Sequence, residues 1–229
     1  MRGRTRPPAR IATLALVFVA ATVAARRADA QAFSRLEAGQ QAVTVETGLA
    51  SGIVTSLGYA AGLRLGGVGT LIPFAQATLV VARPDLHDGA LKAGAQAGLL
   101  HAGWFDLSAR LALEVASTEN SIYDGTAFRT DLTLYAGHYG RRWFAVGEVG
   151  YDRTWLTYLK NSDFYRTYVY SGAQDGWYAG TGGVLRGGAK GGLTIGRVEL
   201  VLEAGVNKTE TLQDLDLPFY TTLGANYRF

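Results

Sequence analysis

The last thirteen residues, 217–229, read L-P-F-Y-T-T-L-G-A-N-Y-R-F and decide the fold. One set of alternate residues is apolar apart from a threonine: Phe229, Tyr227, Ala225, Leu223, Thr221 and Phe219. The other set is polar or small apart from a tyrosine: Arg228, Asn226, Gly224, Thr222 and Tyr220. Because successive strand side chains point to opposite faces, this segment is predicted to be a β-strand with one apolar face.

The segment ends on an aromatic residue, Phe229. It resembles the closing strand of a bacterial outer-membrane β-barrel, where a C-terminal Phe with alternating apolar partners is the signal for the barrel-assembly machinery. The resemblance implies that machinery as a partner, together with outer-membrane lipid and lipopolysaccharide. It also implies the outer membrane of a Gram-negative bacterium as the location. It specifies neither a particular family nor an activity.

The same period of two recurs along the chain. It is found in segments 42–50, 54–65, 71–82, 90–101, 104–116, 128–136, 143–155, 177–195 and 198–206. With the terminal strand this gives about ten strands (8–12), and residues 42–229 are predicted to form an all-β domain, a transmembrane antiparallel up-and-down β-barrel. The alternative is a soluble β-sandwich whose core the aromatic rings fill.

The predicted connections alternate in length, as in barrels that have tight periplasmic turns and longer outer loops. Short ones are predicted at 66–70, 102–103, 140–141 and 196–197. Longer ones are predicted at 83–89, 117–126, 159–176 and 208–216. The connection at 50–52 is an exception because it is short, so the strand count is open by two.

The N-terminus is predicted to be a secretory signal peptide, residues 1–30. Four arginines precede an apolar run at 11–25, and the run is followed by a small-x-small motif that places cleavage near Ala30 or Ala32. An uncleaved membrane anchor is the alternative. Residues 31–41 are then a short periplasmic lead-in to the barrel.

Removal of residues 1–30 changes the charge balance. They contain six of the 22 Lys and Arg and one of the 19 Asp and Glu, so residues 31–229 carry 16 basic and 18 acidic side chains, a formal charge of −2. A nucleic-acid partner is therefore not indicated. The absence of cysteine excludes disulfide and thiol chemistry.

If the apolar face meets lipid, the charged residues of the other face must project into the barrel. The predicted lumen network consists of Arg64, Lys92, Asp106, Arg110, Glu114, Arg129, Asp131, Glu148, Asp152, Arg186, Lys190, Glu199, Glu203 and Arg228. Mixed signs favour paired charges within a narrow barrel. A narrow porin-like channel for small solutes or ions stays open, because inward glycines leave space.

The longest predicted loop is a candidate binding loop because it combines aromatic side chains with an arginine: Phe164, Tyr165, Arg166, Tyr168 and Tyr170. Such a loop is suited to protein or glycan contact. Lys160 and Arg166 could instead contact lipopolysaccharide. The rings could also simply continue the aromatic belt at the membrane interface.

A catalytic alternative rests on two predicted outer loops. Asp85-Leu86-His87 and Asp214-Leu215-Asp216 resemble the Asp-His and Asp-Asp pairs of omptin proteases, which are ten-stranded barrels, although the chain order is reversed. The resemblance implies a water-activating site of Asp85, His87, Asp214 and Asp216. No metal or cofactor is expected, and the protein is expected to be a monomer without enzymatic activity unless this alternative holds.

Overall fold

The computed structural model describes residues 36–49, 52–65, 69–81, 88–180, 182–209 and 218–229. This part of the chain contains twelve strand segments: Gln41–Leu49 (β1), Ile53–Ala61 (β2), Leu63–Leu65 (β3), Gly69–Val80 (β4), Gly89–Ala102 (β5), Phe105–Glu119 (β6), Tyr123–Tyr139 (β7), Trp143–Asn161 (β8), Gly176–Ala179 (β9), Gly183–Ile195 (β10), Val198–Thr209 (β11) and Phe219–Arg228 (β12). A π-helical turn, Tyr165–Val169, lies between β8 and β9. Among the described residues, no helix has the length and apolar character needed to span a membrane.

The strands close into an antiparallel barrel. Apart from the short segments β3 and β9, successive strands along the chain pair with each other, and β12 returns to pair with β1 from Ala42↔Arg228 to Leu49↔Thr221. Segments β2 and β3 both pair with β4, and β9 and β10 both pair with β8. The twelve segments therefore occupy ten strand positions, which confirms the predicted fold class and the predicted strand number.

The burial pattern is that of a barrel with a polar interior. On β6, the inward side chains Arg110 and Glu114 are buried, while the alternate residues Leu111 and Leu113 are 58% and 65% exposed. The same alternation holds on β1, β7 and β11. Apolar side chains thus cover the outside of the barrel, and the charged side chains lie in its interior, the reverse of a soluble β-sandwich.

The two ends of the barrel differ. One end, called the turn end below, has the two-residue turns Gly103–Trp104 and Gly196–Arg197, in which both glycines adopt a φ of 63° that favours glycine over other residues. The opposite end, called the loop end, carries the connection of residues 162–175 between β8 and β9. The predicted turn at 102–103 is shifted by one residue because β5 runs through Ala102.

The prediction of a long loop at 117–126 is wrong. Strand β6 continues to Glu119 and β7 begins at Tyr123, so only residues 120–122 connect them. Asn120 closes this tight turn because its side-chain oxygen accepts hydrogen bonds from the amides of Ile122 and Tyr123, at 2.8 and 3.0 Å. Residues 117–126 contain few apolar side chains, so the alternation that marks the other strands is not visible there.

Strands β7 and β8 extend beyond the rest of the barrel at the loop end. They contain 17 and 19 residues, against nine in β1. At about 3.3 Å per residue, β8 is on the order of 60 Å long and β1 about 30 Å. The connection between β8 and β9 is therefore held well above the strands on the other side of the barrel.

The described part of the lead-in packs against the turn end. The amide of Gly39 donates to the carbonyl of Gly62 at 2.8 Å, and the amide of Gln40 donates to the carbonyl of Glu37 at 3.0 Å. This tight turn places Leu36 inside the barrel mouth. Leu36 joins a buried apolar cluster with Ala42, Ala60, Ile72, Phe74 and Ala112.

Candidate functional site

Asp131 on β7 is the centre of the charged interior and interacts with three cations. Its Oδ2 lies 3.1 Å from Lys92 Nζ and 3.0 Å from Arg110 Nη2, and its Oδ1 lies 3.1 Å from Arg186 Nη2. Lys92 belongs to β5 and Arg186 to β10, neither of which pairs with β7. The contacts with Lys92 and Arg186 therefore bridge non-adjacent strands on the inside of the barrel, and Asp131 itself is completely buried.

Two further carboxylates complete this cluster. Glu114 lies 3.5 Å from Lys92 and 3.3 Å from Arg129. Asp152 lies 3.0 Å from Nε of Arg186. Each cation of the cluster thus contacts a carboxylate, which offsets the cost of removing the charges from water.

A second cluster surrounds Lys190, nearer the turn end. Its Nζ lies 2.7 Å from Glu203 and 3.8 Å from Glu148, and it sits 5.0 Å from the centre of the Tyr135 ring. The hydroxyl of Tyr220 donates a hydrogen bond to Glu148. The ammonium group is therefore held by two carboxylates and the face of an aromatic ring.

A third cluster lies beside the seam where β12 meets β1. Arg228 lies 2.6 Å from Glu199, and the side-chain amide of Asn226 donates to the same carboxylate at 3.1 Å. The hydroxyl of Thr44 on β1 donates to Asn226 at 2.6 Å. The closure of the barrel is thus supported by side chains as well as by the backbone ladder.

Aromatic and apolar side chains fill the space between these clusters and the turn end. The guanidinium group of Arg110 lies 5.9 Å from the centre of the Phe74 ring and 5.7 Å from that of Tyr135. Tyr135 also packs with Phe144, Val146 and Val201 in a buried cluster. The described interior is therefore filled by side chains at the level of Arg110.

The structure places the predicted lumen residues as follows. Eleven are buried inside the barrel: Lys92, Arg110, Glu114, Arg129, Asp131, Glu148, Asp152, Arg186, Lys190, Glu199 and Glu203. Arg228 is half-buried against Glu199. Asp106 is half-buried at the turn-end mouth, where it lies 2.6 Å from His101, and Arg64 is exposed at the same mouth.

Uncharged polar side chains, which the predicted lumen network did not include, also form hydrogen bonds inside the barrel. Thr133 donates to Asp131 at 2.7 Å, Gln76 donates to Glu46 at 3.2 Å, and Gln96 donates to Ser108 at 3.2 Å. These residues share the strand face of the charged ones. The same period of two, applied to uncharged polar residues, would therefore have predicted that they face the interior.

An open cavity of about 720 Å³ lies at the turn-end mouth. Its polar lining includes Arg64, Gln96, His101, Asp106 and Ser108. It ends at the filled interior, since Arg110 and Asp131 are 1% and 0% exposed. The cavity is a vestibule on one side of the barrel.

The connection between β8 and β9, residues 162–175 and called the outer loop below, is ordered by its own contacts. Arg166 lies 2.5 Å from Asp175, and the amide of Asn161 donates to Asp175 at 2.8 Å. The hydrogen bond from Arg166 and then that from Asn161 lower the pKa of Asp175 to about 2. Ser162 ties the loop to the neighbouring turn, donating through its hydroxyl to the carbonyl of Ser121 at 2.7 Å.

Aromatic residues of the outer loop divide into one buried and three exposed side chains. Tyr165 is buried, whereas Phe164, Tyr168 and Tyr170 are exposed, Tyr168 to 76%. The Phe164 and Tyr168 rings contact each other at 5.2 Å between centres. Together with the exposed Val169 they form an apolar surface, called the aromatic patch below.

The residues of the hydrolase hypothesis, Asp85, His87, Asp214 and Asp216, lie outside the described residues, as do the signal peptide and its cleavage sites. That hypothesis stays a prediction, which cleavage of basic peptides by intact cells with and without His87→Ala would test. Within the described ranges, no group of three or more acidic or histidine side chains is arranged to hold a metal ion.

The sequence matches no family model and no curated protein. Among solved structures, it is similar to the KdgM porin at 10% identity and a TM-score of 0.36, covering 82% of this chain and 99% of the other. It is similar to Ail, the attachment invasion locus protein of Yersinia pestis, at 11% and 0.38, covering 84% and 99%. The beta domain of the Bordetella autotransporter BrkA gives 15% and 0.40, covering 82% and 98%.

These values describe remote similarity, so the assignment rests on strand register and burial. A closed antiparallel barrel with ten strand positions, an apolar exterior and a charged, filled interior defines the class of outer-membrane β-barrels. Within this barrel, the Asp131 cluster and the outer loop are the two candidate functional regions.

Proposed function

We propose that this protein is an integral outer-membrane protein whose barrel is sealed and whose outer loop binds an external protein or glycan. In this arrangement the turn end faces the periplasm and the loop end faces outward, as in other bacterial barrels. The barrel then acts as a rigid membrane anchor for the aromatic patch.

Membrane insertion is supported by the outer surface of the barrel. Large apolar side chains are exposed on every side of it, for example Leu57, Leu91, Leu132 and Leu202. A continuous apolar surface of this extent is rare on proteins that are monomeric in water. The nine residues of β1 and of β2 also match the 9–11 tilted residues that span a bilayer.

A sealed barrel is supported by the burial of the inward side chains. A column of water through the lumen would expose the residues that line it. Instead Glu46, Arg110, Asp131 and Glu203 are between 0% and 2% exposed, and they come from four different strands. Ion pairs within a packed lumen therefore fit a structural role better than a conduction pathway.

The observation that carries the binding role is an exposed aromatic patch on a loop that is itself ordered. Rigid aromatic side chains lose little conformational entropy on binding and are common at the centres of interfaces. Strands β7 and β8 hold the patch beyond the length that a bilayer requires. Arg166 is engaged with Asp175, which leaves the aromatic rings as the main contact groups of the outer loop.

Electrical measurement tests the seal. Purified protein inserted into planar bilayers is expected to give no discrete conductance steps. Regular steps would instead establish the narrow porin-like channel. The variant Asp131→Ala serves as a comparison, since removal of the central carboxylate is the substitution most able to loosen the packed lumen.

A binding assay tests the loop. Protein in lipid nanodiscs is screened against protein and glycan arrays, and the variant Phe164→Ala/Tyr168→Ala is screened in parallel. Binding that this variant loses and that Trp104→Ala keeps supports the proposal, because Trp104 is an equally exposed ring at the turn end. Binding that both variants keep, or no binding by the parent protein, contradicts it.

A further inference from the structure

The outer face of β8, β10 and β11 contains an apolar groove of about 890 Å³. Its floor consists of small residues that lie in register across the strands: Ala145 opposite Gly191, and Gly147 opposite Ala189. Its walls are large exposed residues, Trp143, Leu193, Leu200, Leu202 and Leu223. The groove faces the surroundings of the barrel because the inward residues of these strands are buried.

The two glycines are not required by the packing of the strands. A Cβ built at Gly191 would come no closer than 3.5 Å to another atom, and one at Gly147 no closer than 3.8 Å. Both distances are ordinary van der Waals contacts. The absence of side chains at these two positions therefore keeps the groove open, although the packing of the strands does not require it.

Along the membrane normal, the length of the groove corresponds to one membrane leaflet. It starts at Trp143, the first residue of β8 at the turn end, and reaches Gly147. Five residues extend about 16 Å along a strand. With a strand tilt of about 40°, this is roughly half of the apolar band of about 25 Å.

Three arginines lie where the groove opens at the turn end. Arg141 and Arg142 directly precede Trp143, and Arg197 lies in the turn between β10 and β11. The amide of Thr194 on β10 donates to the carbonyl of Arg142 at 2.7 Å, which brings the two turns together. All three side chains are exposed to the surroundings of the barrel.

We propose that this groove binds an anionic phospholipid of the inner leaflet, with one acyl chain over Gly147 and Gly191 and the phosphate at Arg141, Arg142 and Arg197. Arginine forms paired hydrogen bonds to phosphate, and basic clusters beside apolar grooves select anionic headgroups. The site rests on the proposed orientation, in which the turn end faces the periplasm.

Native mass spectrometry of the folded protein, released from micelles containing phosphatidylglycerol or phosphatidylethanolamine, tests the site. The parent protein is expected to retain phosphatidylglycerol at least about tenfold better, since each basic side chain near an anionic headgroup contributes about fivefold. The variant Arg141→Gln/Arg142→Gln/Arg197→Gln should abolish the preference. The corresponding triple Lys variant should keep most of it.

The groove is tested by Gly191→Leu, which should reduce retention of both lipids about tenfold by filling the floor. Its matched control is Gly187→Leu, four residues away on the same outward face of β10, where a Cβ would meet nothing within 4 Å. Heat-dependent migration in gels confirms that each variant is folded, and if Gly191→Leu does not fold, the Arg variants decide alone.

Equal retention of the two lipids by the parent protein overturns the proposal, and so does a preference that survives the Gln variant. Equal losses for Gly191→Leu and Gly187→Leu also overturn it. A lipid-free dimer that Gly191→Leu dissociates would assign the groove to a second copy of the chain. Failure of the parent protein to enter nanodiscs would overturn the membrane proposal as well, whereas loss of lipid preference alone would leave the proposed function intact.

Discussion

The barrel interior and the outer loop both contain an Arg–Asp ion pair, but the two pairs differ in surroundings. Asp131 is completely buried and contacts three cations, while Arg166 and Asp175 are each more than one-third exposed. In the interior, loss of one partner leaves charges without compensation in a medium of low dielectric constant. At the surface, water and salt replace a lost partner. The same contact is therefore expected to support the whole fold in one place and only local order in the other.

The largest expected effect is that of Asp131→Ala. Three cations lose their common carboxylate, and the free energy of unfolding is expected to fall by about 3–5 kcal/mol. Urea unfolding in lipid vesicles measures the change. The control is Asp124→Ala on the same strand, where the carboxylate is half-exposed and lies 3.7 Å from Lys160. Equal stability of the two variants would contradict the central role of Asp131.

A smaller loss is expected for Tyr220→Phe, which keeps the ring and removes the hydroxyl that donates to Glu148. A hydrogen bond to a buried charged group contributes about 1.5–3 kcal/mol. The same unfolding assay measures the effect. The matched variant is Tyr227→Phe on the outer face of β12, which is expected to be neutral. A comparable loss in both variants would show that the hydrogen bond from Tyr220 to Glu148 contributes no more to the free energy of unfolding than the exposed hydroxyl of Tyr227.

Substitutions at two neighbouring glycines of β10 compare its inward face, at Gly192, with its outward face, at Gly191. At Gly192, an added Cβ would overlap the Phe144 ring and approach the Leu200 carbonyl to 2.8 Å, whereas the nearest atom at Gly191 is 3.5 Å away. Gly192→Ala is expected to cost about 1–3 kcal/mol through overpacking. Gly191→Ala should change stability by less than about 0.5 kcal/mol. Equal effects of the two substitutions on stability would mean that the interior side chains can shift to make room for the added methyl group.

The period of two was sufficient to predict the barrel, because a strand between lipid and a polar interior must alternate. It placed Arg110 and Asp131 on the inward face from their positions alone. It could not pair them, since the partners of Asp131 on β5 and β10 depend on register and on closure of the whole barrel. For the same reason the contact of Tyr220 with Gly188 and Gly205, where an added Cβ would meet its ring and hydroxyl, was not foreseeable.

Order at the outer loop was also beyond sequence analysis. Aromatic residues marked 159–176 as a candidate binding loop, but the π-helical turn and the contact between Arg166 and Asp175 depend on residues nine apart meeting across the loop. Likewise the tight turn at 120–122 depends on one asparagine side chain accepting two amides. Local polar composition alone therefore overestimated the length of the loop predicted at 117–126. It also did not reveal the contacts that order the outer loop.

The smallest expected effect concerns the pH dependence of the outer loop. The pKa of Asp175 is lowered from 3.8 to about 2 by Arg166 and Asn161, so the stabilisation of the loop is fully present above about pH 4 and is lost as the pH falls through 2. Carbon-detected NMR of the Asp175 carboxyl group in micelles is expected to show a midpoint near 2. In Arg166→Gln the midpoint should move back toward 3.8, while Arg153→Gln, which removes a β8 arginine stacked on Trp155, should leave it unchanged. A parent midpoint at 3.8 would show that the loop does not hold the ion pair in solution. Because Arg166→Gln changes only the outer loop, the free energy of unfolding at neutral pH should equal that of the parent protein within experimental error, so this variant separates the local role of the surface pair from the global role of Asp131.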